Sequence, residues 1–139
     1  MARTINFSVD SRNRDASTFP FPNVYDAILP EKIRNVVSVE LVYASYAKLG
    51  TENYVNLHIE ELVPILITNA NGLDGAFAQL PCAVPDVVNE YSAHLYRSIK
   101  TFDTPCSMLS RFRIRFLDYA GAPAPVSEHF MRFEITYRA

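Results

Sequence analysis

The sequence predicts an all-β protein: one antiparallel β-sandwich of jelly-roll type over residues 23–139, preceded by an extended N-terminal arm over residues 1–22. Three observations predict it. Apolar and polar residues alternate with a period of two in run after run, as in strands with one buried face. Proline-containing turns divide these runs, leaving about eight strand candidates, a number that suits a sandwich or barrel. The composition, 49% hydrophobic with eight Tyr and nine Phe, is that of a chain that buries a core. At 139 residues the chain has the length of one domain, and no repeat, linker or compositional shift marks a second.

Thr4–Asp10 (TINFSVD) and Val24–Pro30 (VYDAILP) are the first strand candidates, and a single helical turn fits PEKIRN after them. Asn35–Ala47 is dense in valine, with Val37, Val39 and Leu41 alternating against Ser38 and Glu40, and reads as a central strand. Asn53–Leu62 places Val55, Leu57 and Ile59 opposite Tyr54, Asn56, His58 and Glu60, a half-buried strand. VPILITNANGLDG leads to a turn at Asn71-Gly72, and AFAQLPC offers another short strand. Asp86–Phe102 carries Val87, Tyr91, Leu95, Ile99 and Phe102 at helical spacing; in a strand-rich chain it reads as a strand, with or without a bulge.

The clearest alternation is SRFRIRF, with Phe112, Ile114 and Phe116 on one face and Arg111, Arg113 and Arg115 on the other. HFMRFEITYR repeats it with Met131, Phe133, Ile135 and Tyr137 inward. A turn centred between Pro123 and Ala124 pairs these two runs, setting Phe112 opposite Ile135 and Arg113 opposite Glu134. Between them Asp118–Glu128, rich in Gly, Ala and Pro, reads as a long exposed loop.

Charge and motifs narrow the function. Thirteen basic and fifteen acidic residues give a formal net charge of -2, so no overall field draws the chain to nucleic acid or an anionic membrane. No run of apolar residues is long enough for a spanning helix and no signal peptide opens the chain, which is expected to stay on the reducing side of a membrane. Cys82 and Cys106 read as free buried thiols. His58, His94 and His129 lie outside any metal-ligand spacing, and Glu60 and Glu61 point to opposite faces of a regular strand and are read, with Glu40, as solvated charges. No phosphate-cradling loop or nucleophile elbow is present. No catalytic residue, metal or cofactor is assigned.

Two features remain as contact surfaces. The ladder Arg111, Arg113 and Arg115, with Arg132 on the presumed partner strand, is either a solvated strand face or a protein-contacting one. Its aromatics fall on the opposite face, which argues against nucleic acid. In the arm, Pro20 and Pro22 hold FPFPN extended while Phe19 and Phe21 present rings, and Arg12 and Arg14 alternate with Asp10 and Asp15. Such an arm either lies on a neighbouring subunit, through Arg12, Arg14, Phe19 and Phe21, or folds back to cover an edge of its own sheet.

Asp10-Ser11-Arg12, Leu29-Pro30, Asn35-Val36 with Ser38, Glu40 and Leu41, then Leu109, Phe112, Ile114, Phe116, Asp118 and Gly121, and finally His129 with Ile135, follow one another in a characteristic order. In this the chain resembles the small single-jelly-roll minor capsid and penton proteins of large icosahedral double-stranded DNA viruses. The resemblance implies a structural virion protein, made in the host cytoplasm, without enzymatic activity. It implies other capsid proteins as partners and self-association, as a pentamer if the position is a vertex. Two other readings stand beside it. One is a cement or decoration protein of a tailed phage; the other is a carbohydrate-binding sandwich, for which Asn69, Asn71 and Asp74 form the one calcium-like cluster.

Overall fold

A computed structural model describes residues 1–62, 76–82, 84, 86–93 and 97–139. Among the described residues seven strands form: β1 (Ala2–Asp10), β2 (Val24–Tyr46), β3 (Tyr54–Ile59), β4 (Ala78–Pro81), β5 (Asn89–Ser92), β6 (Ser98–Leu117) and β7 (Phe130–Arg138). Among the described residues the only helical pieces are 3₁₀ turns at Ser11–Asn13 and Glu60–Leu62, so no helix is long and apolar enough to cross a membrane. Every pairing is antiparallel, in one sheet of order β1-β7-β2-β6-β3-β4, with β5 on β2.

The two long strands decide the shape. β2 and β6 run antiparallel along most of their length, and their register shifts twice, between Ile28 and Ile33 and between Val36 and Ser38. The extra residues lie on β2 at the first shift and on β6 at the second, and unequal path lengths bend a strand pair. Asn35, between the two shifts, adopts φ 55, a left-handed conformation that Asn tolerates better than most residues. Beyond the bend β2 changes neighbours: Val36–Ser45 pair with β7, whereas Val24–Ile28 pair with β6 alone. The single sheet therefore curls into a half-barrel. Its two halves face each other through aromatic rings, with Phe112 edge-on to Phe133 at 4.9 Å and to Phe7 at 5.8 Å. Tyr25, Leu41, Leu57, Ile59, Phe116 and Ile135 complete a continuous core.

Several expectations change. SRFRIRF and HFMRFEITYR are both strands with the faces assigned, but they are not partners: β2 lies between them, and β7 pairs with β1 and β2. Phe112 stands opposite Ala27, and Arg113 opposite Asp26. Alternation fixes which way each side chain points but carries no information on which strand lies alongside. The segment Asp118–Glu128 is a largely exposed loop, as expected, but it is tied down, for Ala124 and Val126 are buried and bridges join Leu117 to Pro123 and Lys48 to Val126. PEKIRN is the bent middle of β2 rather than a helical turn. Asp86–Phe102 contributes strand, as β5 and the start of β6.

The N-terminal arm is corrected most. Residues 2–10 are not an arm but an edge strand, paired with β7 from Ala2 to Asp10. The cause is in the local pattern: Phe7 and Val9 recur on one face, and pairing with β7 puts both against the core. Residues 2–10 thus fold back along their own sheet, on the edge of β7.

Candidate interaction surface

The segment joining β1 to β2 is held by a dense polar latch. Ser11, fully buried, donates its hydroxyl to Glu128 Oε2 at 2.6 Å and accepts the backbone N–H of His129 at 2.9 Å. Its own N–H donates to the His129 carbonyl at 3.0 Å. Arg14 donates to Glu128 Oε1, to the Ser11 carbonyl, and to the carbonyls of Phe19 and Pro20. The His129 ring, sandwiched between Tyr25 and Phe116, has Nδ1 2.9 Å from the Ser127 carbonyl. A carbonyl only accepts, so Nδ1 carries the proton and Nε2 accepts the Tyr25 hydroxyl at 2.7 Å. Burial lowers the His129 pKa and raises that of Tyr25. For Glu128 burial acts upward, but the bonds from Ser11 and Arg14 outweigh it and the carboxyl titrates below its ordinary value.

This latch places the expected arm residues. Arg14 points inward, its side chain 10% exposed, and organises the loop. Phe19 packs against the core. Arg12 is exposed but engaged with Asp10, whose pKa this hydrogen bond lowers to about 2. Phe21 alone of the four is a free apolar ring, 70% exposed.

Two arginines of the ladder, Arg111 and Arg113, are neutralised locally. Arg113 makes two bonds to the Asp26 carboxylate, at 2.8 and 3.1 Å, and lowers its pKa. Arg111 reaches Asp26 and Glu61, and Glu61 also accepts the Arg113 backbone N–H. Glu61 sits on the 3₁₀ turn after β3, not on a strand, and is an ion-pair partner rather than a merely solvated charge; Glu40 likewise pairs with Arg97. Arg115 lies 3.2 Å from His58 Nδ1, and its Nε is buried without a partner. Arg132 is exposed on β7, two strands away from the ladder, so the four arginines do not form one surface.

The remaining motifs stay apart. His58 and His129 lie in separate environments, and His94 is outside the described residues, as are Asn69, Asn71 and Asp74. Among the described residues no cluster of His, Cys, Asp or Glu is placed to hold a metal. Cys82 is a buried free thiol and Cys106 a half-buried one.

What the sequence did not disclose is an open sheet edge. The bonds from Ala139 N–H to the Met1 carbonyl and from Ser11 N–H to the His129 carbonyl bracket the β1–β7 ladder. Antiparallel alternation then directs the backbone groups of the odd residues of β1 toward β7 and those of Ala2, Thr4, Asn6 and Ser8 outward. No strand among the described residues pairs with that outer side. The N-terminal part of β2 is similar: Phe116 N–H donates to the Asn23 carbonyl, so Tyr25 and Ala27 bond to β6, while Val24, Asp26 and Ile28 face away from it. Residues 7–10 of β1 and residues 25–28 of β2 line the same open groove of about 650 Å³. Ile5 and Ile28, 45% and 66% exposed, add apolar surface beside these two edges. No protein-family model matches the chain, and no curated protein matches it in sequence.

Proposed function

We propose that the chain is a structural virion protein, a minor capsid or penton subunit of an icosahedral double-stranded DNA virus, and that it acts through protein–protein interfaces. In this reading the curled sheet is one jelly-roll-type sandwich, and its partners are other capsid proteins and further copies of itself. One observation carries the interface part of the reading: β1 offers a nine-residue outer edge with which no strand among the described residues pairs. Between Ala2 and Asp10 there is no Pro, Gly or Lys, and the only charged side chains are Arg3 and Asp10. Proteins that work alone blunt such edges, because a free row of N–H and C=O groups is a template for another chain. The order of motifs from Asp10 to Ile135 supplies the virion context. The test is to express the tagged chain in cells producing the particles and sediment them. Co-sedimentation at fixed stoichiometry with the capsid is expected. A chain that stays wholly in the unsedimented fraction refutes the assignment.

A further inference from the structure

We propose that the open side of the half-barrel, between β1 and the N-terminal part of β2, is a slot for one extended peptide strand from a neighbouring protein. It rests on the reading of the chain as a subunit that works through interfaces, and names where and by what chemistry one partner binds.

Two rows of backbone groups with which no strand among the described residues pairs flank the slot. Ser8 points its backbone groups into it from β1, and Asp26 and Ile28 from β2, while the groove itself is lined by residues of both strands. Each wall alone would recruit any β-edge. Together, at residues 7–10, they select a strand with no sheet behind it, since a sheet edge laid there would carry its next strand into β2, whereas residues 2–6 lie outside the groove and can take a sheet edge. β1 runs toward the latch at Ser11–Glu128 and β2 runs away from it, so an inserted strand is antiparallel to one wall and parallel to the other. The Arg14–Phe19 bond closes one end of the groove.

The walls also fix the side-chain pattern. Phe7 and Ala27 face the core side and form the floor, with Phe19 beside them. Ser8, Asp10 and Asp26 alternate to the outer side. A bound strand therefore alternates too, apolar residues down onto Phe7 and Ala27, polar residues outward. The carboxylates at the groove are already matched, Asp10 by Arg12, Asp26 by Arg113 and Arg111, and Asp15 by the hydroxyls of Ser17 and Thr18, so uncharged hydroxyl residues suit the outward positions. The occupant is thus an extended, sheet-free segment with alternating apolar and hydroxyl residues.

The test uses the full chain and a library of short synthetic peptides alternating Val, Ile or Leu with Ser or Thr, read by fluorescence anisotropy. Members of the library bind saturably, and peptides of the same composition with the apolar residues contiguous bind about tenfold more weakly, the equivalent of one lost pair of backbone hydrogen bonds. Ser8→Pro removes an N–H that points into the slot and not toward β7, so it weakens binding by a similar factor. N-methylation of alternate peptide amides makes the same test from the peptide side, whether or not the Ser8 variant folds. Absence of binding across the alternating library, or binding indifferent to both Ser8→Pro and N-methylation, overturns the slot. If particle incorporation persists in that case, the slot alone falls and the structural assignment stands.

Discussion

Replacing Ser11 by Ala removes one oxygen from the centre of the latch, and its cost can be worked from the contacts. The hydroxyl accepts the His129 backbone N–H at 2.9 Å and donates to Glu128 at 2.6 Å, in a residue with no exposed surface. Stranding the buried N–H costs about 1–3 kcal/mol. The bond to Glu128 adds less than a buried charged bond would, because that side chain is 45% exposed and can take water in exchange. The sum is about 2–3 kcal/mol. For a chain of this length each kcal/mol lowers Tm by roughly 3–4 °C, so calorimetry should show a drop of about 6–12 °C. A double-mutant cycle with Glu128→Gln should show the two changes to be coupled. If Ser11→Ala melts within about 2 °C of the parent, the latch does not hold the β1–β2 connection.

Three further outcomes are expected. The folded-state pKa of His129 lies below its ordinary 6.5 because burial disfavours the imidazolium; the unfolded chain then takes up the proton first, so this contribution is complete above about pH 6.5 and is lost as pH falls below it. Urea midpoints should decline on acidification from there, less steeply in His129→Gln, and again between 3.8 and about 2, where Asp10 loses its bonds to Arg12; an identical pH profile for His129→Gln contradicts the burial argument. At the bend, Asn35→Val should cost about 1–2 kcal/mol, because a β-branched residue resists positive φ, whereas Asn35→Gly should be near neutral by chemical denaturation. On β1, Ile5→Pro removes an N–H that bonds to β7 and should destabilise by about 1–3 kcal/mol, while Thr4→Pro removes one that points outward and should leave the Tm nearly unchanged. Equal losses would mean that the edge has been assigned to the wrong side.

Side-chain direction was legible in the sequence wherever alternation ran long. Phe112, Ile114, Phe116, Met131, Phe133 and Ile135 are all buried as their spacing requires. Neighbour identity was not legible. Phe112 packs on Phe133 across the curl rather than beside it in a hairpin, since a strand arriving from Asn35–Tyr46 takes the place beside β7. The arginine ladder was visible as a ladder, but its neutralisation depends on Asp26 and Glu61, which are remote in sequence. The arm misled for a related reason: charges and prolines at Ser11–Pro22 suggested a free segment, while Ser11, Arg14 and Glu128 bind it down over more than a hundred residues of separation. The open edge follows from which residues face β7, a fact of pairing that no single run of residues encodes.

The central claim is that this fold works by joining its outer β1 edge to other chains. Sedimentation of the purified chain over a range of concentrations, beside Thr4→Pro, tests it most directly. The account predicts a mass that rises above the monomer's with concentration in the parent, and a monomer of unchanged melting temperature in Thr4→Pro. A parent that stays monomeric throughout, or a Thr4→Pro variant that associates as the parent does, would contradict it.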